Sequence, residues 1–361
     1  PDSLEFLTRG AKFQRPPLLT TLRNLPGLLS LFQQENSLPR RFARADSSDF
    51  APALAHWQQQ PVTELSEPEI AERIETILQL LKQATYFNIL APLSLALRQA
   101  ILKVNLADLD SRQNPEVRAV EELKRMAVQM RSHLIDLGLQ SPSESDADPL
   151  PPPSNSASLF AALAEHPEGQ LVFDQLDQFL ESYGYLSEVA TDIAVPTWQE
   201  SQQPIRELFT QFLLNPDLDQ SPARAQTRTS AKASWQTKQV QARLDLKGRV
   251  AEVYDRCLAT LRGCFVELES RWISANQLEE QGDIFFLTWA EIQTQLTQPL
   301  PTEKLRLNIH IQKAQWQRQS THRAPYLIYG QVHDHSPQST NFAQSAAPSV
   351  ALPAAGILTG I

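Results

Sequence analysis

The residues that could do chemistry gather in one short stretch, residues 183–204, which we call the elbow. Its candidates, for a substrate rim or for a structural turn, are Tyr183, Tyr185, Glu188, Asp192, Pro196 and Trp198. The carboxylates of Glu188 and Asp192 have the chemistry of a general acid and a general base. Carboxylates more often cap helices or face solvent, so the spacing predicts an ordered loop and no catalytic residue.

A second group of candidate ligands lies near the end of the chain. His333, Asp334 and His335 are adjacent, and alternate residues of an extended segment can share a side, as metal ligands do. No further Cys or His pair is spaced to complete a site. The pattern therefore favours a solvated loop, and we predict no metal.

The chain has two cysteines, Cys257 and Cys264, on a predicted helix. This spacing puts them about two turns apart, which is too far for a direct disulfide. No histidine is placed in the sequence to activate either thiol. We therefore predict reduced core cysteines and a cytoplasmic location.

Charge argues against a nucleic-acid partner, since the chain carries a formal net charge of −9. Basic residues cluster at Arg40, Arg41 and Arg44. Such a cluster either contacts an anion or covers a solvated face, and the pattern favours the solvated face. The longest apolar runs are far shorter than a membrane span, so we expect no membrane partner.

Helices must position these residues. Proline is frequent (26) and glycine scarce (11), which favours helices stopped by prolines over a sheet with glycine turns. The predicted fold class is mainly α: an irregular multi-helix region with long helices, proline-rich loops and little or no sheet. Two amphipathic helices flank the elbow; the first ends at Gly184 and the second begins at Pro204.

Apolar residues at three- and four-residue steps predict further helices. Capping boxes at Ser66 with Glu69 and at Thr288 with Glu291 mark two helix starts. We expect Pro92 to separate two helices. The predicted helices are 67–87, 93–103, 115–139, 233–275, with a kink near Gly248, and 305–316, together with short helices at 18–25 and 28–33 and a short strand at 325–330.

The chain is expected to divide into five consecutive segments. They are a proline-punctuated connector (1–60), a helical lobe (61–139), a disordered loop (140–158), a helical lobe that contains the elbow (159–320) and an extended linker (321–361). Because the chain opens on a proline and closes on an apolar, glycine-bearing run, we expect an interior piece of a longer protein.

Two motifs, in order, carry a resemblance to a known family. The first is Tyr183-Gly184, Asp192-Ile193-Ala194, Pro196, Trp198, Glu200 and Pro204; the second, after a long helix, is Gly282-Asp283-Ile284-Phe285-Phe286-Leu287-Thr288 with Glu291. Together they resemble the central helical region of the phosphoenolpyruvate-utilising phosphotransferases, such as phosphoenolpyruvate synthase and rifampicin phosphotransferase. The resemblance is to the rifampicin phosphotransferase branch in particular.

The chain departs from the family pattern at the polar positions of the elbow. Tyr185 and Leu186 stand where the family usually has His-Arg, Ala190 where it has Glu, and Thr197 where it has Arg. These are the positions at which the family's substrate contacts are expected. The resemblance therefore implies the family's scaffold and carries over no substrate.

The resemblance implies a phosphotransferase whose chemistry lies mostly outside this chain. Such enzymes join an ATP-grasp domain, this helical region and a swivelling domain whose histidine carries phosphate, and they use ATP and Mg. His322 echoes the end of the phosphohistidine motif but lacks the preceding Gly-Gly. We therefore predict neither an ATP site nor a phosphohistidine here, and a linker that leads toward the swivelling domain.

The resemblance also sets the expected role of the helices. We expect them to wall a cavity for a small apolar phosphate acceptor, with the elbow on its rim, and we expect the chain to be inactive alone. The alternative belongs to a different class, a non-catalytic helical scaffold or a module that binds an apolar ligand. The coding sequence on either side of the chain distinguishes the two.

Overall fold

The computed structural model describes residues 25–136, 156–215 and 234–321. Helical segments make up 80 % of these residues, and none of them lies in a strand. Extended pairing within them is limited to an isolated antiparallel bridge between Ser187 and Thr197. The predicted mainly α fold class is therefore confirmed. In the described stretches no helix is both long and apolar enough to cross a membrane.

The helices are numbered in chain order. They are α1 (Leu25–Ala45), α2 (Ala51–Gln59), α3 (Glu67–Leu102), α4 (Pro115–Asp136), α5 (Ser156–Glu165), α6 (Gln170–Tyr183), α7 (Gln203–Leu214), α8 (Trp235–Ser274), α9 (Trp289–Thr297) and α10 (Thr302–Ser320). A π-helical turn, Asp46–Phe50, joins α1 to α2, and a 3-10 turn, Asp283–Phe286, precedes α9. α9 begins with the predicted capping box, in which Thr288 and Glu291 bond reciprocally.

Several sequence predictions concern residues outside the described stretches. They are the helix at 18–25 up to residue 24, the strand at 325–330, the linker at 321–361 beyond its first residue, His322, the triplet His333–His335 and most of the loop at 140–158. The last residues of that predicted loop are helical instead, because α5 begins at Ser156.

The described residues fall into two compact units. Unit one consists of the described residues within Pro1–Ala53, Gln83–Val117 and Pro222–Val253. Unit two consists of the described residues within Leu54–Lys82, Arg118–Ser221 and Tyr254–Ile361. The helices α2, α3, α4 and α8 supply residues to both units. The division of the chain into consecutive functional segments stays a prediction.

Pro92 does not interrupt its helix, and the break predicted there is wrong. α3 continues through it without a stop. A proline inside a helix removes one backbone hydrogen bond and usually kinks the chain. Here Phe87, Ala91 and Leu95 follow one another at four-residue steps and are all buried. Burial of this face on both sides of Pro92 offsets the lost hydrogen bond.

The region predicted as a proline-punctuated connector is helical from residue 25 to residue 59, and the short helix predicted at 28–33 is part of a longer one. Pro39 lies inside α1, and the π-helical turn then passes the chain to α2. Phe42 and Phe50 are buried, and the Phe42 ring lies edge-on to Phe87 with its centre 5.3 Å away. Aromatic burial therefore sustains the helix across this proline too.

The helix α8 is continuous over 40 residues, close to the predicted 233–275. Gly248 does not split it, and its role is a close approach within unit one. A Cβ at this position would lie 2.3 Å from the carbonyl oxygen of Gln113. Only glycine lets the backbone of Gln113 pass this close to α8.

The core of unit two is formed by α4, α5, α6 and α7. Its buried residues include Leu123, Met126, Met130, Leu159, Phe160, Leu163, Val172, Leu176, Phe179, Ile205, Phe209 and Leu213. The flexible side chains of the two methionines suit such irregular core positions. Because α6 and α7 are both buried in this core, the elbow between them is anchored at each end.

Both cysteines lie buried on α8 in unit two. Cys257 is 0 % exposed and Cys264 is 1 % exposed, and both are free thiols. Burial raises the pKa of the Cys257 thiol to about 12 and that of Cys264 to about 11. The thiols are therefore protonated near neutral pH, and the prediction that both cysteines are core residues is confirmed.

One carboxylate, Glu35, links three helices of unit one. Arg98 of α3 binds it as a fork, with Nη2 2.6 Å from Oε2 and Nε 3.0 Å from Oε1. Arg243 of α8 donates from Nε to Oε1 at 2.9 Å, and the Ser94 hydroxyl donates to the same oxygen at 2.8 Å. Burial acts to raise the pKa of Glu35, but these hydrogen bonds and the two guanidinium charges outweigh it, so the pKa is lowered.

Replacing Glu35 with alanine should destabilise the chain by about 3–5 kcal/mol near neutral pH, because two largely buried guanidinium groups lose their carboxylate. Since folding lowers the pKa of Glu35, its contribution is present above the ordinary value of 4.5 and is lost as the pH falls through the lowered value. The penalty measured by urea unfolding should therefore shrink below that pH.

The matched control is Glu122→Ala, which removes a more exposed carboxylate that pairs with Arg125. This change should cost less than about 1 kcal/mol, as exposed ion pairs do. A penalty for Glu35→Ala no larger than that of the control at neutral pH would contradict the structural role of Glu35.

Candidate functional site

The elbow is held in shape by backbone hydrogen bonds between its two ends. The amide of Trp198 donates to the carbonyl of Leu186 at 2.7 Å, beside the antiparallel bridge between Ser187 and Thr197. These bonds bring the residues that follow α6 alongside those that precede α7. The elbow is therefore a closed, ordered loop, as the sequence predicts.

Asp192 shapes the tip of the elbow. Its Oδ1 accepts a hydrogen bond from the amide of Ala194 at 2.9 Å, the local bond by which aspartate forms a turn. Its backbone carbonyl accepts the amide of Val195 at 3.2 Å. The carboxylate that the sequence offered as an acid or base thus forms a turn in the backbone.

A buried arginine of α8, Arg262, fastens the elbow to that helix. Its Nε donates to Oε2 of Glu200 at 2.6 Å, and its Nη1 donates to the carbonyl oxygen of Ile193 at 2.6 Å. The same Glu200 oxygen accepts the amide of Thr197 at 3.0 Å. Arg262 is only 8 % exposed, so these bonds replace hydration that burial removes. One side chain therefore holds both the tip and the far end of the elbow.

The second motif lies against the same arginine. The Arg262 guanidinium carbon is 5.1 Å from the centre of the Phe285 ring, a cation–π contact. Phe285 belongs to the 3-10 turn that follows Gly282, whose φ of +93° lies in the left-handed region. Residues with side chains rarely adopt that angle, which explains glycine at this point. Two motifs that are separate in the sequence thus meet at Arg262.

A buried glutamate of α8, Glu269, holds the start of the second motif. Its Oε1 accepts the amides of Gly282 at 2.8 Å and Ile284 at 3.1 Å. Burial raises the pKa of Glu269, and the two amide donors do not fully offset this effect. This buried carboxylate therefore fixes the position of the backbone at the start of the second motif.

The carboxylate of Asp283, the residue after Gly282 in the motif, also has partners for hydrogen bonds and an ion pair. Its Oδ2 accepts the amides of Glu279 and Glu280, each at 3.0 Å, and its Oδ1 lies 2.5 Å from Nζ of Lys313. Burial acts to raise the pKa of Asp283, but the Lys313 hydrogen bond and the two amides lower it below its usual range. The carboxylate therefore stays ionised and holds α10 against the turn.

Trp198 packs into the wall of unit two's core. It is half-buried and stacks on Phe179 with the ring centres 6.4 Å apart and the planes 18° from parallel. Its buried Nε1 has no hydrogen-bond partner among the described residues. The indole ring therefore contributes through its packing on the core, and its N–H adds no hydrogen bond.

Two candidate residues, Tyr185 and Asp192, line a small hollow between the elbow and α8. Asp255 and Arg262 of α8 also line it, and the guanidinium of Arg256 lies 4.1 Å from the centre of the Tyr185 ring. The volume of the hollow is about 20 Å³, which is room for about one water molecule. An organic acceptor could enter only if the elbow moved.

The remaining candidates do not share that hollow. Tyr183 packs with Trp198 against the core of unit two, whereas Glu188 and Pro196 are exposed. Within the described residues, no group of three or more His, Cys, Asp or Glu side chains could hold a metal ion. The structure therefore brings two of the six candidates together at a minor hollow and does not assemble all six into one site.

The residues that hold the site together, Arg262 and Glu269, are the ones that sequence analysis misses. Arg262 follows Leu258 by four residues and Glu269 follows Phe265 by four, so both keep step with the apolar stripe of α8. A charged residue in step with a buried stripe needs a partner. That pattern is a usable signal, but the partners lie in distant segments.

Comparison with known protein families gives a match to the part of the chain that contains the elbow. The family model described as the rifampicin phosphotransferase fourth domain matches residues 88–268, half of the chain. No curated protein and no solved structure matches. The match includes the elbow and Arg262, while the second motif follows it in the sequence.

Arg262→Lys should destabilise the chain by about 2 kcal/mol, since a lysine ammonium cannot span Glu200 and the Ile193 carbonyl as the planar guanidinium does. Urea unfolding measures the loss, and hydrogen exchange should speed up at the amides of Thr197 and Trp198. Arg271→Lys, on the same helix and paired with Glu267 at 2.8 Å, is the control. Unchanged exchange in the elbow of Arg262→Lys would argue against its role as a fastener.

Trp198→Ala should cost about 3 kcal/mol, near the low end for emptying an aromatic site because Trp198 is half-buried. Trp198→Phe should cost less than about 1 kcal/mol, because it keeps a ring on Phe179 and removes the N–H that has no partner. Urea unfolding of both variants tests this pair. A loss for Trp198→Phe equal to that for Trp198→Ala would mean that the indole N–H does contribute.

Proposed function

The chain belongs to the rifampicin phosphotransferase fourth-domain family, and from this membership we propose that it is the helical connecting region of a phosphotransferase. The parent enzyme moves phosphate from ATP, or from phosphoenolpyruvate, through a phosphohistidine in the cytoplasm. The nucleotide site, with its ATP and Mg, and the histidine lie in ATP-grasp and swivelling domains of the same polypeptide. This chain has no phosphotransferase activity alone.

The observation that carries the proposal is the convergence of both family motifs on Arg262. Its guanidinium binds Glu200 and the Ile193 carbonyl in the elbow and stacks on Phe285 of the second motif. Asp192 forms a turn, and Glu269 holds the backbone of the second motif. Side chains that are committed to backbone positions support a role in holding geometry, while the chemistry takes place in other domains.

The positions at which the chain departs from the family pattern support the same role. Leu186 is 2 % exposed and Thr197 is 8 % exposed. Where the family pattern has arginine, this chain therefore has a packed apolar or hydroxyl side chain. A charged side chain at either position would need a partner in the interior, so the exchange favours packing of the elbow over contact with a polar substrate.

The acceptor in this proposal is a small apolar molecule, and the elbow lies on the rim of its cavity. The hollow at the elbow has a volume of only about 20 Å³. Acceptor binding would therefore need the elbow to open away from α8, which breaks the bonds of Arg262, or a wall supplied by another domain. The family membership favours the second arrangement, because the neighbouring domains carry the reacting groups.

The alternative is a non-catalytic helical scaffold or an apolar-ligand module. The packed residues at Leu186 and Thr197 are also what a scaffold would have. The two functions differ in their flanking coding sequence. An ATP-grasp sequence upstream and a Gly-Gly and Ser-His motif downstream support the phosphotransferase, whereas stop codons close to both ends support the scaffold.

The experiment is phosphate labelling of two polypeptides. The 361-residue chain, incubated with ATP or phosphoenolpyruvate labelled on its transferable phosphates, should gain no acid-labile label. The polypeptide encoded by the full reading frame should gain phosphohistidine in a downstream domain. Label on a histidine of this chain, or an unlabelled full polypeptide, would overturn the proposal.

A further inference from the structure

A surface hollow of about 490 Å³ lies in unit one, and none of its lining residues belongs to the elbow. It is formed by the end of α1, the π-helical turn and the middle of α3. Its lining residues are Ser37, Arg40, Arg41, Arg44, Ala45, Ser48, Asp49, Gln83, Tyr86 and Phe87. The volume lies within the range of roughly 300–1,000 Å³ that is usual for small-molecule sites.

The lining of this hollow is basic in a chain that is acidic as a whole. It holds three arginines and one carboxylate, Asp49, whereas the chain has a net charge of −9. Asp49 accepts a hydrogen bond from the Gln83 amide group at 3.3 Å. Among the described residues, none of the three arginines forms an ion pair, while the neighbouring carboxylates Glu35 and Asp46 pair with other arginines.

Stabilisation of a helix C-terminus does not account for the three arginines. Cations stabilise a helix C-terminus because they offset its partial negative charge. The backbone is helical on both sides of the π-helical turn, with φ and ψ of −60° and −39° at Ala45 and of −62° and −43° at Ala51. The carbonyl groups after Arg44 therefore face a continuing helix, and the charge of the arginines is not needed there.

The geometry of the cluster suits an anion. Arg40 and Arg44 are one helical turn apart, so their side chains lie on the same side of α1. Arg41 lies over the Tyr86 ring with its guanidinium carbon 5.1 Å from the ring centre, which orders its planar group. The π-helical turn that carries Ser48 and Asp49 is a feature that often accompanies functional sites.

We propose that this hollow binds a small phosphate monoester. Arg40 and Arg44 donate to the phosphate oxygens in the forked manner typical of guanidinium groups. The Ser48 hydroxyl supplies a further donor, and the Tyr86 ring contacts the organic part of the ligand. Asp49 opposes the anion and so limits its affinity.

The test is calorimetric titration of the 361-residue chain with phenyl phosphate and with inorganic phosphate at constant ionic strength. Both should bind saturably, and phenyl phosphate should bind more tightly because its ring contacts Tyr86. The double variant Arg40→Gln/Arg44→Gln should weaken both by about tenfold or more, the effect of losing at least one charge-assisted hydrogen bond.

The matched control is Lys238→Gln/Lys247→Gln, which removes the same charge from exposed positions of α8 in unit one and should leave both affinities unchanged. Asp49→Asn should tighten binding several-fold, because it removes the opposing charge and keeps an oxygen that can accept the Gln83 amide. Equal weakening by both double variants would reduce the effect to net charge and overturn the site. Equal affinity for the two probes would overturn the ester contact.

Discussion

One buried guanidinium, that of Arg262, fixes the geometry on which the elbow depends. Burying a charged group is unfavourable unless hydrogen bonds replace its hydration. Arg262 meets this condition with a carboxylate and a carbonyl, both at 2.6 Å, and with an aromatic ring. Since its partners belong to segments far apart in the sequence, the arginine can be satisfied in only one arrangement of those segments.

Unit one contains a buried ionic centre of the same kind with the charges exchanged. There a carboxylate, Glu35, is the central group, and arginines from two helices surround it. Replacing such a centre with apolar residues can be neutral for stability, but removing one partner is costly. These groups therefore specify which helices meet, while the apolar faces of the long helices supply most of the stabilisation.

Much of the fold could be predicted from the sequence, because helical periodicity is a local signal. The capping box at Thr288 and the span of α8 follow from neighbouring residues. The helix break predicted at Pro92 is wrong because the burial that stabilises α3 around this proline depends on tertiary packing, which local sequence does not reveal. The elbow motif can be recognised from the order of its residues. The partners of Arg262 cannot, since no local rule pairs residue 262 with residues 193 and 200.

The two buried cysteines allow local opening of α8 to be measured by chemical modification. With thiol pKa values of about 12 and about 11, Cys257 and Cys264 are almost entirely protonated at neutral pH and are shielded from reagents. A thiolate-selective alkylating reagent can modify them only when this part of the helix separates from its surroundings. The alkylation rate of an unmodified chain therefore measures how often the wall that carries Arg262 comes apart, without a substitution or a spectroscopic label.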